Sequence, residues 1–321
     1  MLRFPFFLLS FALTFLLCPA AAALARRVGA VDLPGGRHIH HAPTPRLGGL
    51  ALACGVGGGL LFGGAFRFDR HLLAVASGGV VILILGIRDD TKGLSPSSKI
   101  VLQLTAALLA VFFGRRLEGM GVFSVPVTLL WLLLMTNAFN LIDGLDGLCA
   151  GCGGGCAGWM AILGGIAGDR AVTAAALALL GGCLGFLPHN LRRKKLFLGD
   201  TGAQLIGFFL GVLSIPLLNG GGGVSLLCIA AYPLAETATS ILRRVIKGQS
   251  PFKADRGHFH HRLTDRGIPP RKAVALLLLP SLFSGSIGVL LPIAPNAAGA
   301  VLMLCLLFVP VCWWVEGEGL P

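Results

Sequence analysis

Apolar runs broken by short polar stretches recur along all 321 residues. A helix needs about 20 apolar residues to cross the hydrocarbon core of a bilayer. Eleven runs approach that length, at 4–23, 47–66, 72–87, 100–113, 122–139, 149–167, 171–188, 202–218, 224–242, 273–291 and 297–314. The pattern predicts an all-α fold: a polytopic membrane helical bundle of about eleven transmembrane helices, forming one integral domain over residues 1–321.

Composition agrees. Hydrophobic residues make up 55% of the chain and charged residues 12%, against roughly a quarter charged in soluble domains. With the amino terminus outside and the carboxyl terminus inside, the breaks at 24–46, 88–99, 140–148, 189–201 and 243–272 fall on the inner side. They hold 20 of the 26 Lys and Arg residues. Cytoplasmic loops carry the basic excess, so this orientation is preferred over its inverse. The first run ends in Ala20 to Ala23, like a signal-peptide cleavage site. Cleavage there would leave Arg26, Arg27, Arg37 and Arg46 outside, against the charge rule, so a retained helix is expected.

The same inner breaks carry Asp32, Asp89, Asp90, Asp143, Asp146, Asp200, Asp255 and Asp265, eight of the 14 acidic residues. Carboxylates at a membrane boundary are costly, and their grouping on one side marks an active site. Asp89 and Asp90 stand side by side at a helix end, where like charge and the helix dipole both oppose ionisation. Asn137, Asn140, Asp143 and Asp146 recur every third residue. On an ideal helix they drift about 60° per step, so all four converge only if the helix tightens or breaks near Gly144. Oxygen ligands beside glycine suit a hard cation such as Mg²⁺, with Mn²⁺ as a substitute. Gly199-Asp200-Thr201-Gly202 sets a carboxylate among exposed backbone N–H groups at a helix start, preceded by four consecutive cations.

Two further groups favour simpler readings. Cys149, Cys152 and Cys156 interleave with glycines, which points to close helix packing rather than metal. His258, His260 and His261 lack the partners of a zinc motif, so phosphate binding beside Arg262 is the better reading. A cation cluster with Arg and His donors is what phosphoryl transfer requires. The Gly-rich Walker sequence is absent, which argues against an ATPase. A cation-coupled transporter would need ionisable groups near the bilayer midplane. Glu236 is nearly alone there.

The stretches DLPGGRHIHHAPTPRLGG, RDD, TNAFNLIDGLDGL, FLGDTG and ADRGHFHHRL resemble, in order and spacing, the bacterial polyprenyl-phosphate N-acetylhexosamine-1-phosphate transferases. The resemblance covers about residues 32–263. It implies Mg²⁺-dependent transfer of a sugar 1-phosphate from a UDP-sugar to undecaprenyl phosphate, releasing UMP, as the first membrane step of a cell-envelope glycan. It places the enzyme in the bacterial inner membrane, with its site on the cytoplasmic face. Expected partners are the UDP-sugar, undecaprenyl phosphate and membrane lipids, with no nucleic acid; a homodimer is left open.

By resemblance, Asp200 is the main metal ligand, helped by Asn140. Asp89 and Asp90 orient or deprotonate the lipid phosphate, and Asp143 and Asp146 lie at the nucleotide and metal site. Phe197 stacks on uracil, while His258, His260 and His261 with Arg262 hold the diphosphate, His260 also counting among the catalytic candidates. Asn137, Arg46 and Lys99 complete the substrate-binding set. The wording around Asn140 and Phe259 is closer to the N-acetylglucosamine branch, with the muramoyl-pentapeptide branch of peptidoglycan synthesis as the alternative. The chain departs from the family pattern at Arg37-His38, at Ala203-Gln204 where Ser-Leu is common, and at Glu236 where Asp is usual. Glu236 precedes Arg243 by seven residues, about 10 Å along a helix, which suggests a structural partnership between them.

Overall fold

Ten of the eleven apolar runs fall on helices in the computed structural model, which describes residues 4–33, 43–63, 70–192, 195–250 and 257–294. The eleventh run, the first-loop residues Arg37, His38, His40 and His41, and Asp255 lie outside the described residues. The helices are α1 (Phe4–Val28), α2 (Gly48–Phe62), α3 (Arg70–Lys92), α4 (Pro96–Phe112), α5 (Ser124–Leu141), α6 (Leu148–Ile166), α7 (Arg170–Asn190), α8 (Gly199–Asn219), α9 (Gly223–Ile229), α10 (Ala231–Ile246), α11 (Phe259–Asp265) and α12 (Pro270–Leu290). A two-residue antiparallel ribbon joins β1 (Val31–Asp32) to β2 (Thr44–Pro45). Among the described residues seven helices are long and apolar enough to span a membrane, and α2 and α4 are shorter apolar helices.

The ninth run is not the single straight helix that its hydrophobicity predicts. α9 and α10 meet at 82°. Pro233 has no N–H to give the Ile229 carbonyl, and its ring crowds a carbonyl in that position, which favours a break or kink at this point. Carbonyls freed inside an apolar bundle need other donors. The Cys156 thiol donates to Ile229 O (3.1 Å) and the Ser284 hydroxyl to Cys228 O (2.8 Å). The neighbouring thiol of Cys149 donates to Phe139 O. These sulfurs therefore serve helix contacts.

α8 is the axis of the bundle: every residue from Thr201 to Ile215 is buried. α3 and α5 pack along it, with α2, α6 and α7 closing the remaining sides. Small residues make this density possible. A Cβ at Gly86 of α3 would run into the backbone of Thr201, and one at Gly49 of α2 into that of Gly202. The first turn of α8 is thus gripped by two glycine faces, immediately beside the polar end of the bundle.

Replacing Gly86 with Val should force α3 and α8 apart. Thermal unfolding in detergent is expected to show a loss of about 1–3 kcal/mol, the usual cost of overpacking; an unchanged Tm would show that the two helices are not held this closely.

Candidate active site

All five motif-bearing breaks meet at one end of the bundle. The first and fourth pair through their backbones: Phe197 N donates to Pro45 O (2.8 Å), Gly48 N to Phe197 O (2.9 Å) and Gly49 N to Leu198 O (2.9 Å). The first and second meet where Arg46 Nε lies 3.6 Å from Asp90 Oδ1. The third reaches the fourth through an ion pair between Asp146 and Lys195, and the fifth where His260 packs on Gly144.

At the centre, Lys99 of α4 bridges Asp89 of α3 and Asp200 of α8, its ammonium lying 2.9 Å from Asp200 Oδ2. Asp89 Oδ1 also accepts from Leu94 N (2.8 Å), which fixes the turn between α3 and α4. Asp90 faces the other way. Its side chain is wholly buried, and it accepts from Asp200 N (3.0 Å), Thr201 N (3.0 Å) and the Thr201 hydroxyl (2.6 Å). Leu198, at the N-cap position of α8, offers no capping side chain. Asp90 supplies the missing acceptor from another helix. Gly199 makes the approach possible: its φ of +73° is a left-handed conformation, and a Cβ there would collide with Arg46 O and the Asp90 carboxylate.

The four residues spaced by three do not converge. α5 ends at Leu141, and Asp143 N bonds Asn140 O at 3.4 Å in a tightened turn. Asn137 turns inward to Gln103 of α4, while Asp146 goes to Lys195. Asp143 is half-buried near Asp200, Asp90 and Arg46; loss of water and then the charges of Asp200 and Asp90 push its carboxyl up to about 8, against the pull of Arg46. Asn140 Oδ1 is buried without a hydrogen-bond partner. Asn190, which no motif reasoning singled out, clamps the loop by accepting from Gly147 N (2.6 Å) and donating to Leu196 O (3.0 Å).

His260 and His261 sit on α11, with His258 at its N-cap position, and Glu236 holds this helix start from α10. That carboxylate is fully buried and accepts from His258 Nδ1 (3.0 Å), Phe259 N (3.0 Å) and the Ser240 hydroxyl (3.3 Å). Arg243, the partner that helical spacing suggested, donates instead to Ser240 (3.2 Å). His260 is 1% exposed, and neither of its ring nitrogens has a hydrogen-bond partner. Burial, with the charges of His261 and His258, pushes its imidazole down to about 3, so it is neutral at physiological pH. His261 lies 4.3 Å from it, ring centre to ring centre. His261, Arg262 and Phe197 are half-buried at this same end.

The donor set suits a hard cation. Its atoms are carboxylate and amide oxygens, one of them the orphaned Asn140 Oδ1, and the Asp143 carboxyl is pushed up first by burial and then by the like charges of Asp200 and Asp90, a repulsion that a dication would relieve. Among the described residues no three His, Cys, Asp or Glu side chains are already gathered as a metal site. Lys99 occupies the place between Asp89 and Asp200. Mg²⁺ is usually held by one or two carboxylates together with substrate phosphates rather than by an all-protein cage, so this arrangement fits an ion that arrives with a diphosphate.

Residues 72–218 match the model of glycosyl transferase family 4. The chain is 33% identical over 290 residues to a probable undecaprenyl-phosphate N-acetylglucosaminyl 1-phosphate transferase of Bacillus subtilis, covering 85% of this chain and 80% of that protein. It is 36% identical over 301 residues to a decaprenyl-phosphate N-acetylglucosaminephosphotransferase of Mycolicibacterium smegmatis, covering 80% and 74%. An undecaprenyl-phosphate alpha-N-acetylglucosaminyl 1-phosphate transferase of Escherichia coli is 31% identical over 293 residues, covering 84% and 78%. Likeness of this extent, over a multi-pass helical bundle whose motifs meet at one end, makes the chain a sugar-phosphate transferase enzyme and a member of glycosyl transferase family 4.

Proposed function

We propose that this enzyme transfers N-acetylglucosamine 1-phosphate from UDP-N-acetylglucosamine to undecaprenyl phosphate, releasing UMP, in a Mg²⁺-dependent reaction on the cytoplasmic face of the bacterial inner membrane. The observation that carries the reading is the meeting of Asp89, Lys99 and Asp200 at the polar ends of three apolar helices. That location lets a lipid phosphate and a soluble nucleotide reach the same groups. The names of the relatives support a polyprenyl phosphate acceptor and an N-acetylglucosamine donor group. An eleven-span topology with the amino terminus outside accompanies this reading, because it puts the 24–46, 88–99, 140–148, 189–201 and 243–272 breaks inside, where basic loops belong.

In the transfer, an oxygen of the lipid phosphate attacks the β-phosphorus of the UDP-sugar. A new P–O–P bond forms, the bond to the oxygen bridging the α-phosphate breaks, and UMP leaves. Asp200 and Asn140 would hold Mg²⁺, which when bound neutralises charge on the diphosphate. Lys99 keeps positive charge between the acids and can turn an N–H toward an incoming phosphate. Asp89, facing Lys99 at the membrane edge, orients the acceptor. Asp90 is engaged with α8 and acts on the chemistry through the placement of Asp200. His258 donates its Nδ1–H to Glu236, which fixes the ring so that its other nitrogen and Arg262 can face the nucleotide diphosphate.

Purified enzyme given undecaprenyl phosphate, Mg²⁺ and a panel of UDP-sugars is expected to release UMP and form lipid-linked sugar fastest with UDP-N-acetylglucosamine. Turnover with none of the panel would reject the reading. Asp200→Asn should lower kcat by about 10²–10³-fold, the usual effect of removing a transition-state electrostatic group, with a matching change in the Mg²⁺ titration; an unchanged titration would remove Asp200 from the metal site. Glu236→Ala leaves His258 and Phe259 N without their acceptor, a loss of about 1–3 kcal/mol. Steady-state kinetics should register it mainly as a higher KM for the UDP-sugar, and a wild-type KM would detach α11 from nucleotide binding.

A further inference from the structure

One helical turn deeper than the acid and lysine cluster, three side-chain amides meet between α4, α5 and α8. Gln103 Nε2 donates to Gln204 Oε1 (2.9 Å) and to Asn137 Oδ1 (3.3 Å), while Asn137 Nδ2 donates to Gln103 Oε1 (2.8 Å) and to Leu133 O (2.8 Å). Gln103 is 3% exposed and Gln204 is fully buried. The layer repeats the cluster's arrangement. Gln103 follows Lys99 by four residues on α4, Gln204 follows Asp200 by four on α8, and Asn137 precedes Asn140 by three on α5. Each amide therefore lies on the same helix face as a group of the candidate site, about 4.5–6 Å further from the polar end.

We propose that Gln103, Asn137 and Gln204 are positioning residues for the transfer reaction, a hydrogen-bonded layer that sets the register of α4, α5 and α8 so that Lys99, Asn140 and Asp200 come together. Helices packed through small and apolar side chains can slide along one another at little cost, since lipid-facing and helix-facing contacts are alike in polarity. A directional bond network removes that freedom. Gln103 uses both N–H groups and its carbonyl within the layer, so a shift of any of the three helices breaks at least one bond. Packing alone would be better served by methionine, which fills the same volume without burying polar atoms. The chain instead accepts an unpartnered Gln204 Nε2, a cost that only a positional role offsets.

The layer's effect on catalysis rests on the transfer reading, whereas its effect on the metal-binding groups does not. The test uses the full chain in detergent, with Gln103→Met, Gln204→Met and the double variant. Three quantities are read: Tm, Mn²⁺ affinity by electron paramagnetic resonance in the presence of UDP and without the lipid acceptor, and kcat and KM with UDP-N-acetylglucosamine and undecaprenyl phosphate. Each single variant is expected to weaken Mn²⁺ binding and lower kcat by about tenfold, as misplacement of reacting groups does, with KM for the nucleotide sugar within about twofold. The double variant should be no worse than the poorer single one, because both cut the same unit. Wild-type Mn²⁺ affinity and kcat in a single variant, or losses that multiply in the double, would overturn the proposal, and so would a lower Tm with unchanged kcat. If Gln204→Met does not fold, Asn137→Leu cuts the layer from α5 and is judged by the same readings. A wild-type enzyme that turns over no UDP-sugar would count against the transfer reading, leaving the Mn²⁺ comparison to decide the layer.

Discussion

The site depends on one hydrogen-bonding problem: the first turn of α8 begins where bundle and polar end meet, and its N–H groups have no acceptor of their own. An unmet backbone donor in an apolar environment costs several kcal/mol. Asp90 answers it from α3 with three bonds, to Asp200 N, Thr201 N and the Thr201 hydroxyl. The same bonds tie α3 to α8 at the residue that carries the neighbouring carboxylate. Asp89, one position away on α3, is thereby held against Lys99 and opposite Asp200. A cap that satisfies a helix end also assembles the acid cluster.

The device recurs at α11. Glu236 reaches from α10 to Phe259 N and His258 Nδ1, so the short histidine helix is also started by a buried carboxylate from elsewhere in the chain. Seven residues make a helix too short to be stable alone, and the cap compensates for that. The break between α9 and α10 sets where Glu236 points. Its freed carbonyls are met by Cys156 and Ser284. Thiols that resemble a metal motif in spacing thus contribute to the site at a distance, by making a bent helix tolerable inside the bundle.

Much of this was legible in the chain because the bilayer simplifies the code. Long apolar runs gave the helices, and the eight carboxylates grouped in the five inner breaks gave the end of the bundle where the candidate site lies. What stayed hidden depends on which helix faces which. Adjacent Asp89 and Asp90 look equivalent in sequence, yet a rotation of about 100° between neighbours on a helix sends one to Lys99 and the other beneath α8. The three-residue spacing from Asn137 to Asp146 suggested a single ligand set; the helix ends at Leu141, so the two asparagines stay on α5 and the two aspartates follow the loop. Gln103 and Gln204 carried a readable signal, being amides inside apolar runs, but their common purpose requires the packing of α4 against α5 and α8. Pro233 marked the bend, although an early proline in a helix is also an ordinary start.

Charge is distributed in two zones, and the division has a consequence for how ligands enter. The five polar breaks together are strongly basic, yet the groups gathered at the centre are six acids, Asp32, Asp89, Asp90, Asp143, Asp146 and Asp200, against Arg46, Lys99 and Lys195. A basic rim draws phosphates towards the membrane edge, while the acidic centre repels them unless a cation comes too. Neither zone alone suits a diphosphate. The proposed substrate, a nucleotide diphosphate with a divalent ion, would meet both requirements. Lys99 holds that centre together in the meantime, and its single charge between Asp89 and Asp200 is weaker competition than another aspartate-bound dication would be. On the proposed reading, such an arrangement would favour a metal-bound substrate over a bare one through geometry and charge, before any bond is broken.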